Sequence, residues 1–219
     1  MKYIILTFFL SLNLYAQLPK GFVYVKDEIP TIQIELRYFS DNNFIGKPIN
    51  GYLANKLILS SKATKSLKLI QKELNKQGLA LKVFDAYRPQ QAVDHFATWA
   101  TKLDDTLMKQ HYYPNVEKKN LFEEGYIAFK SGHTRGSTLD ITLIDLKTGQ
   151  ELDMGSPYDF FGMQSWVAYK NITKKQIQNR QQLQAVMLKH GFKNYPQEWW
   201  HFTLKDEPFP DTYFDFEVK

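Results

Sequence analysis

Residues 131–144 read S-G-H-T-R-G-S-T-L-D-I-T-L-I, a polar segment bracketed by Gly132 and Gly136 that runs into an apolar, β-branched tetrad. Glycine permits the backbone conformations of a tight turn, and the I-T-L-I run has the composition of a strand. The stretch therefore predicts a turn feeding a strand, with His133 on the turn and Asp140 at the strand's entry seven residues later. A comparable pair of donors lies near the C-terminus. There E-W-W-H places Glu198 three residues before His201, at the head of an aromatic and β-branched segment, residues 198–204, that predicts a further strand.

Working outward, residues 33–38 (Q-I-E-L-R-Y) alternate with period two and predict a strand, followed by a polar loop through Asn50 and Gly51. Ala63, Leu67, Ile70 and Leu74 recur at helical spacing within residues 61–77, and Gly78 ends that helix. Residues 79–84 predict a strand leading into D-A-Y-R-P at 85–89. Pro89 suits the first position of a second helix, with Val93, Phe96, Ala97 and Ala100 inward and His95 off that stripe. His111, beside Tyr112, Tyr113 and Pro114, is expected in a loop. A third helix over 173–190 turns Leu183, Val186 and Met187 inward, and His190 before Gly191 is expected to cap it rather than bind a ligand. Strands and helices alternate irregularly, and repeats and Rossmann or P-loop glycine signatures are lacking. The expected class is α+β, a small, mainly antiparallel sheet flanked by helices.

The chain has 219 residues, 43% hydrophobic and 23% charged, which suits one globular domain with a real core and argues against disorder. Met1 and Lys2, an apolar run over 3–14 and a small residue at Ala16 have the form of a secretory signal peptide, too short to span a bilayer stably. The expectation is removal of residues 1–16 near Ala16, leaving a single domain over 17–219, exported to the periplasm. With no cysteine, there are no disulfides, no thiolate nucleophiles and no lipid-bearing N-terminal Cys, so a metal must be held by His, Asp and Glu. The net charge is +5, and losing Lys2 leaves about +4. Its lysines are scattered, and Lys62, Lys65, Lys68 and Lys72 follow one solvated helix face, which argues against a nucleic-acid stripe. Phe84, Tyr87, Tyr158, Phe160, Phe161, Trp199 and Trp200 gather around the motifs, and core packing is expected for most of them.

Two imidazoles (His133, His201), a hard carboxylate (Asp140) and a spare one (Glu198) are the set a catalytic zinc site needs: three ligands, an open position for water and a base. On spacing alone, a loop histidine with a strand-start cap, and a surface glutamate beside a half-buried histidine, account for them at least as well. In a regular strand residues three apart face opposite ways, so Glu198 and His201 can share a site only across a bulge, a strong twist or a strand end. Arg88 suits either a developing oxyanion or an ion pair with Asp85 or Asp94. Asp159, by itself, reads as a loop-capping acid.

Five segments in order, R-Y-F-S-D-N-N-F-I-G at 37–46, D-A-Y-R-P at 85–89, S-G-H-T-R-G-S-T-L-D at 131–140, D-M-G-S-P-Y-D-F at 153–160 and E-W-W-H-F at 198–202, are far more specific together than singly. Over nearly all of residues 17–219 the chain resembles the D-alanyl-D-alanine dipeptidases of the VanX type, zinc enzymes within the larger group of cell-wall D-Ala-D-Ala metallopeptidases. The resemblance implies the Hedgehog-like fold of that group and one zinc ion per chain, with His133, Asp140 and His201 as ligands, Glu198 as base and Arg88 as transition-state stabiliser. It also implies that Ser131 and Asp159 receive the substrate's free ammonium group, and that D-alanyl-D-alanine is hydrolysed to two D-alanines. The vancomycin-resistance members act in the cytoplasm, whereas an exported chain fits turnover of wall-derived dipeptide. Two other expectations stand beside this one: a D,D-carboxypeptidase or related peptidoglycan peptidase, and a non-catalytic exported binder of peptidoglycan fragments.

Overall fold

The computed structural model describes residues 18–219, and the expected leader over 1–16 lies outside the described residues. In chain order the elements are β1 (Phe22–Tyr24), α1 (Val25–Glu28), β2 (Gln33–Ile34), β3 (Ile58–Ser60), α2 (Ser61–Asn75), β4 (Leu79–Asp85), α3 (Gln90–Thr101), α4 (Lys109–Tyr112), β5 (Thr138–Asp145), α5 (Lys174–Lys189), β6 (Phe192–Tyr195) and β7 (Glu198–Leu204). Five strands form one sheet in the order β2-β4-β5-β7-β6, and β1 pairs with β3 in a small separate sheet. Among the strand pairs of the described residues only β2–β4 is parallel, so the architecture is the expected α+β with a mainly antiparallel sheet.

Local chemistry accounts for the long elements. The Ser60 hydroxyl caps α2 by accepting from the Ala63 amide, and the helix buries Ala63, Leu67, Ile70 and Leu74 on one stripe. Gly78 then turns the chain with φ of +74°. Thr173 and Gln176 form a capping box at the start of α5, whose Leu183, Val186 and Met187 are buried. His190 is the C-cap of α5, and its Nε2 lies 2.8 Å from Glu73. All seven apolar or polar residues of β5 from Thr138 to Ile144 are buried, as suits a central strand covered on both faces. Of the aromatics named from sequence, Phe84, Tyr87, Tyr158, Phe161, Trp199 and Trp200 are buried and Phe160 is half-buried.

Four details differ from the sequence reading. The strand expected over 33–38 stops at Ile34, because β2 lies at the sheet edge, bonded only to β4, and the chain then tightens into a 3₁₀ turn at Arg37–Phe39 that buries Tyr38. Pro89 is the N-cap of α3 rather than its first residue. Asp140 lies inside β5, since Thr138 and Leu139 already pair with Thr203 and Phe202. His111 lies in the short helix α4, which is too brief to show periodicity.

The C-terminal segment beyond β7 wraps back over the molecule. Tyr87 and Phe216 stack with centroids 4.0 Å apart, and Phe22 meets Phe209, Phe214 and Phe216. Among the described residues, no helix is long and apolar enough to cross a membrane.

Candidate active site

The sheet register brings the donor atoms together. Asp140 of β5 is the direct partner of His201 on β7 and of Asp85 on β4, so the three occupy one row across the sheet. Two irregularities create that row. Val83 pairs with Ile141 while Asp85 pairs with Asp140, which inserts an extra residue into β4. On β7, Glu198 pairs with Tyr195 while Phe202 pairs with Asn194, so Trp199, Trp200 and His201 bulge out between them. The bulge removes the conflict of two residues three apart on one strand, and Glu198 Oε2 lies 3.2 Å from His201 Nδ1.

His133 enters from the 3₁₀ turn Gly132–Arg135, capped by Ser131, whose Oγ accepts from the His133 amide. Gly136 closes the turn at φ of +78°, where a Cβ would come within 2.2 Å of the Phe22 ring. The Gly136 carbonyl accepts from the Ser60 amide and that of Thr134 from the Phe214 amide. The Nδ1–H of His133 is directed at the Ala86 carbonyl, 2.7 Å away, which leaves Nε2 free as a ligand atom.

Ligand spacing tests whether these residues suit a metal. His133 Nε2 lies 3.3 Å from His201 Nδ1 and 3.3 Å from Asp140 Oδ1, and His201 Nδ1 lies 3.2 Å from that same oxygen. Donors arranged tetrahedrally around one ion at about 2.0–2.1 Å are separated by about 3.3–3.4 Å, so the three atoms match one face of such a tetrahedron. Asp140 Oδ1 is buried and accepts no hydrogen bond from the described residues, a costly state for a carboxylate oxygen unless a cation meets it. His133, Asp140 and His201 are thus a group that could hold a metal ion.

Electrostatics point the same way. Burial alone would push the His201 imidazole down, but the Asp140 and Glu198 carboxylates outweigh it and push its pKa up to about 9. Burial would raise Asp140, yet His133 and His201 hold it well below the usual carboxylate range. A proton is retained where a stronger cation would fit.

Arg88 flanks this group. Its Nε donates to Asp85 Oδ2 at 2.9 Å, Nη2 lies 3.7 Å from Asp140 Oδ2, and the guanidinium lies 4.9 Å from the Tyr38 ring centre and 5.2 Å from that of Phe96. The pair with Asp85 considered from sequence is therefore formed, and it holds Arg88 beside the metal-binding group rather than away from it. Asp85 also accepts from the Tyr52 hydroxyl at 2.5 Å. Burial pushes its carboxyl up, against the influence of Arg88 and His133.

Asp159 is the one non-glycine residue at positive φ among the described residues, at +58°, a conformation costing on the order of 1 kcal/mol. Its Oδ2 accepts from the Tyr38 hydroxyl at 2.8 Å, and burial followed by the charge of Asp140 pushes the carboxyl well up. Tyr158 lies 3.1 Å from Asp140 Oδ2 and 3.2 Å from the Tyr38 hydroxyl, linking Asp159 to the row.

One cavity of about 360 Å³ is lined by Arg88, Ser131, His133, Asp140, Asp159, Glu198 and His201, every residue named from sequence. Neither His95, whose Nδ1 accepts from the Asn50 amide, nor His111 or His190 lines it. Sequence reasoning missed Tyr38, Tyr52 and Tyr158 and gave Asp85 only a pairing role. Tyr38, Asp85 and Tyr158 lie within segments that carried the family resemblance, the one signal that could have found them.

Comparisons with known proteins agree. The Peptidase_M15 family model, described as D-ala-D-ala dipeptidase, matches residues 19–219. The D-alanyl-D-alanine dipeptidase of Enterococcus faecium is 39% identical over 199 residues, covering 91% of this chain and 98% of that protein. That of Enterococcus faecalis is 41% identical over 198 residues (90% and 98%), and that of Streptomyces coelicolor 39% over 197 residues (90% and 98%). With a matched region that spans the whole described fold and its cavity, the chain belongs to the Peptidase_M15 family of D-Ala-D-Ala dipeptidases.

Proposed function

We propose that the protein is a zinc-dependent D,D-dipeptidase that hydrolyses D-alanyl-D-alanine to two D-alanines. The observation that carries this is the spacing of His133 Nε2, Asp140 Oδ1 and His201 Nδ1, between 3.2 and 3.3 Å, with Glu198 and Arg88 on either side. His133, Asp140 and His201 would hold the zinc ion, two nitrogens and one hard oxygen being a donor set it favours. Bound there, zinc supplies Lewis acidity and lowers the pKa of its water towards ~7.

The chain's own groups do the rest. Glu198, half-buried at the cavity wall, takes a proton from the attacking water and returns it to the leaving amine. Arg88, fixed by Asp85 and by the rings of Tyr38 and Phe96, offers its remaining N–H donors to the oxygen of the tetrahedral intermediate. Asp159 forms no salt bridge among the described residues, and an arriving ammonium group would supply the counter-charge that its buried carboxyl, pushed up by burial, lacks. Ser131 adds a hydroxyl oxygen to the lining of the same cavity. Together they select a free amino terminus. The signal-peptide-like composition of residues 1–16 supports a site of action outside the cytoplasm, on wall-derived dipeptide, and N-terminal sequencing of the secreted protein should then begin near Gln17.

A panel of free and N-acetylated D,D-, L,D- and L,L-dipeptides, assayed with and without chelator, tests the proposal. The expected result is chelator-sensitive cleavage of free D-Ala-D-Ala and none of its N-acetyl form. Equal cleavage of both would make the protein a carboxypeptidase, and binding without cleavage by metal-loaded protein would make it a binder.

A further inference from the structure

The metal-binding row is followed, two residues along the same strands, by a second row that the mechanism above does not use. Thr138 of β5 pairs with Thr203 of β7, and Thr203 pairs with Lys193 of β6. Residues two apart on a strand share a face, so this row lies on the face that carries Asp140 and His201, and Lys193 and Thr203 line the same cavity. The two threonine hydroxyls lie 2.9 Å apart and are buried. In such a pair one hydroxyl donates to the other, and the acceptor keeps its own hydrogen for a further oxygen.

Besides Arg88, the cations lining the cavity are Lys130, Arg135 and Lys193. Arg135 is engaged by both oxygens of Glu207, at 2.9 and 2.8 Å, and Lys130 lies 4.9 Å from the centre of the Tyr213 ring. Lys193 has no carboxylate or ring partner among the described residues. Gly132 packs closely beside the pair, since a Cβ there would come within 2.8 Å of Thr138 Oγ1. The cavity is therefore polar in direction, with Asp159 and Tyr38 on the β4 side and the uncompensated cation Lys193 on the outermost strand.

We infer that Lys193 and Thr203, the latter backed by its hydrogen bond with the buried Thr138, form the subsite that receives the terminal carboxylate of the substrate. The inference rests on the dipeptidase reading and adds to it the group that fixes the leaving residue. Lengths agree: the two rows are about 6.7 Å apart. From a scissile carbonyl carbon the peptide reaches its carboxylate oxygens within about 4–5 Å, and a hydrogen bond adds about 2.8 Å. With its carbonyl over the ligand row, a dipeptide brings its carboxylate to the threonine hydroxyl and its negative charge towards Lys193. A third residue on the C-terminal side would have to pass through this row, so the subsite limits cleavage to the last peptide bond.

The test compares D-Ala-D-Ala with its C-terminal carboxamide in the metal-loaded wild-type protein, in Lys193→Glu and in Thr203→Val. Wild type should prefer the acid by about tenfold or more in kcat/KM, expressed mainly in KM, as one lost charge-assisted contact implies. The preference should fall to within about twofold in Lys193→Glu, an exposed position where misfolding is not an issue, and partly in Thr203→Val. Equal use of acid and amide by wild type overturns the subsite, as does a preference unchanged in both variants. Calorimetric binding of the intact acid and amide to metal-loaded Glu198→Gln protein gives the same comparison without turnover. A binding preference that depends on Lys193 in a wild-type protein that cleaves neither compound would count against the dipeptidase reading alone.

Discussion

The two halves of the metal-binding group are built differently. The His133–Asp140 half is buried, with side chains 1% and 2% exposed, and rests on a turn fixed by backbone bonds to β3 and the C-terminal segment. The Glu198–His201 half belongs to a bulged strand beside the sheet edge, and its side chains are 29% and 17% exposed. On the proposed roles the buried half supplies two of the three candidate ligands, and the open half supplies the third, His201, together with Glu198, the group that would exchange protons with water and substrate.

Perturbations of each half should separate these roles. The largest effect is expected at the residue of the buried half that also touches the open one, through His201 Nδ1 at 3.2 Å: Asp140→Ala should abolish stoichiometric metal by mass spectrometry of native protein and lower turnover by about a thousandfold or more. Asp85→Asn, which disturbs the support of both Arg88 and His133, should weaken metal binding by about 10–100-fold in a competitive chelator titration. Next comes stability of the turn. Gly136→Ala combines a left-handed backbone with a Cβ 2.2 Å from the Phe22 ring and should cost about 2–4 kcal/mol in urea unfolding. Gly78→Ala, with similar φ but nothing within 4 Å, should cost only about 1 kcal/mol. Equal losses at the two glycines would mean that the turn is not held by its packing.

What the sequence made legible follows the same division. Helices α2, α3 and α5 carry periodic apolar stripes, with side-chain caps and glycine stops at α2 and α5 and Pro89 before α3, so existence and facing were readable, and β7 was readable from its aromatic and β-branched composition. Donor types at His133, Asp140, Glu198 and His201 were readable too, but not their convergence. That depends on cross-strand register and on two bulges, and register is a property of strand pairs rather than of local spacing. Hence Asp140 was expected at a strand entry and lies within the strand. Tyr52 and Asp85, 33 residues apart in sequence yet hydrogen bonded, left no local trace of their contact, and the Phe209–Phe216 wrap likewise arises only in the folded chain.

Glu198→Ala tests the central claim most directly, with metal content and D-Ala-D-Ala hydrolysis measured on the same preparation. Retention of one metal ion per chain with turnover reduced by about a thousandfold or more is the predicted result. Near-wild-type turnover in the metal-loaded variant would contradict it.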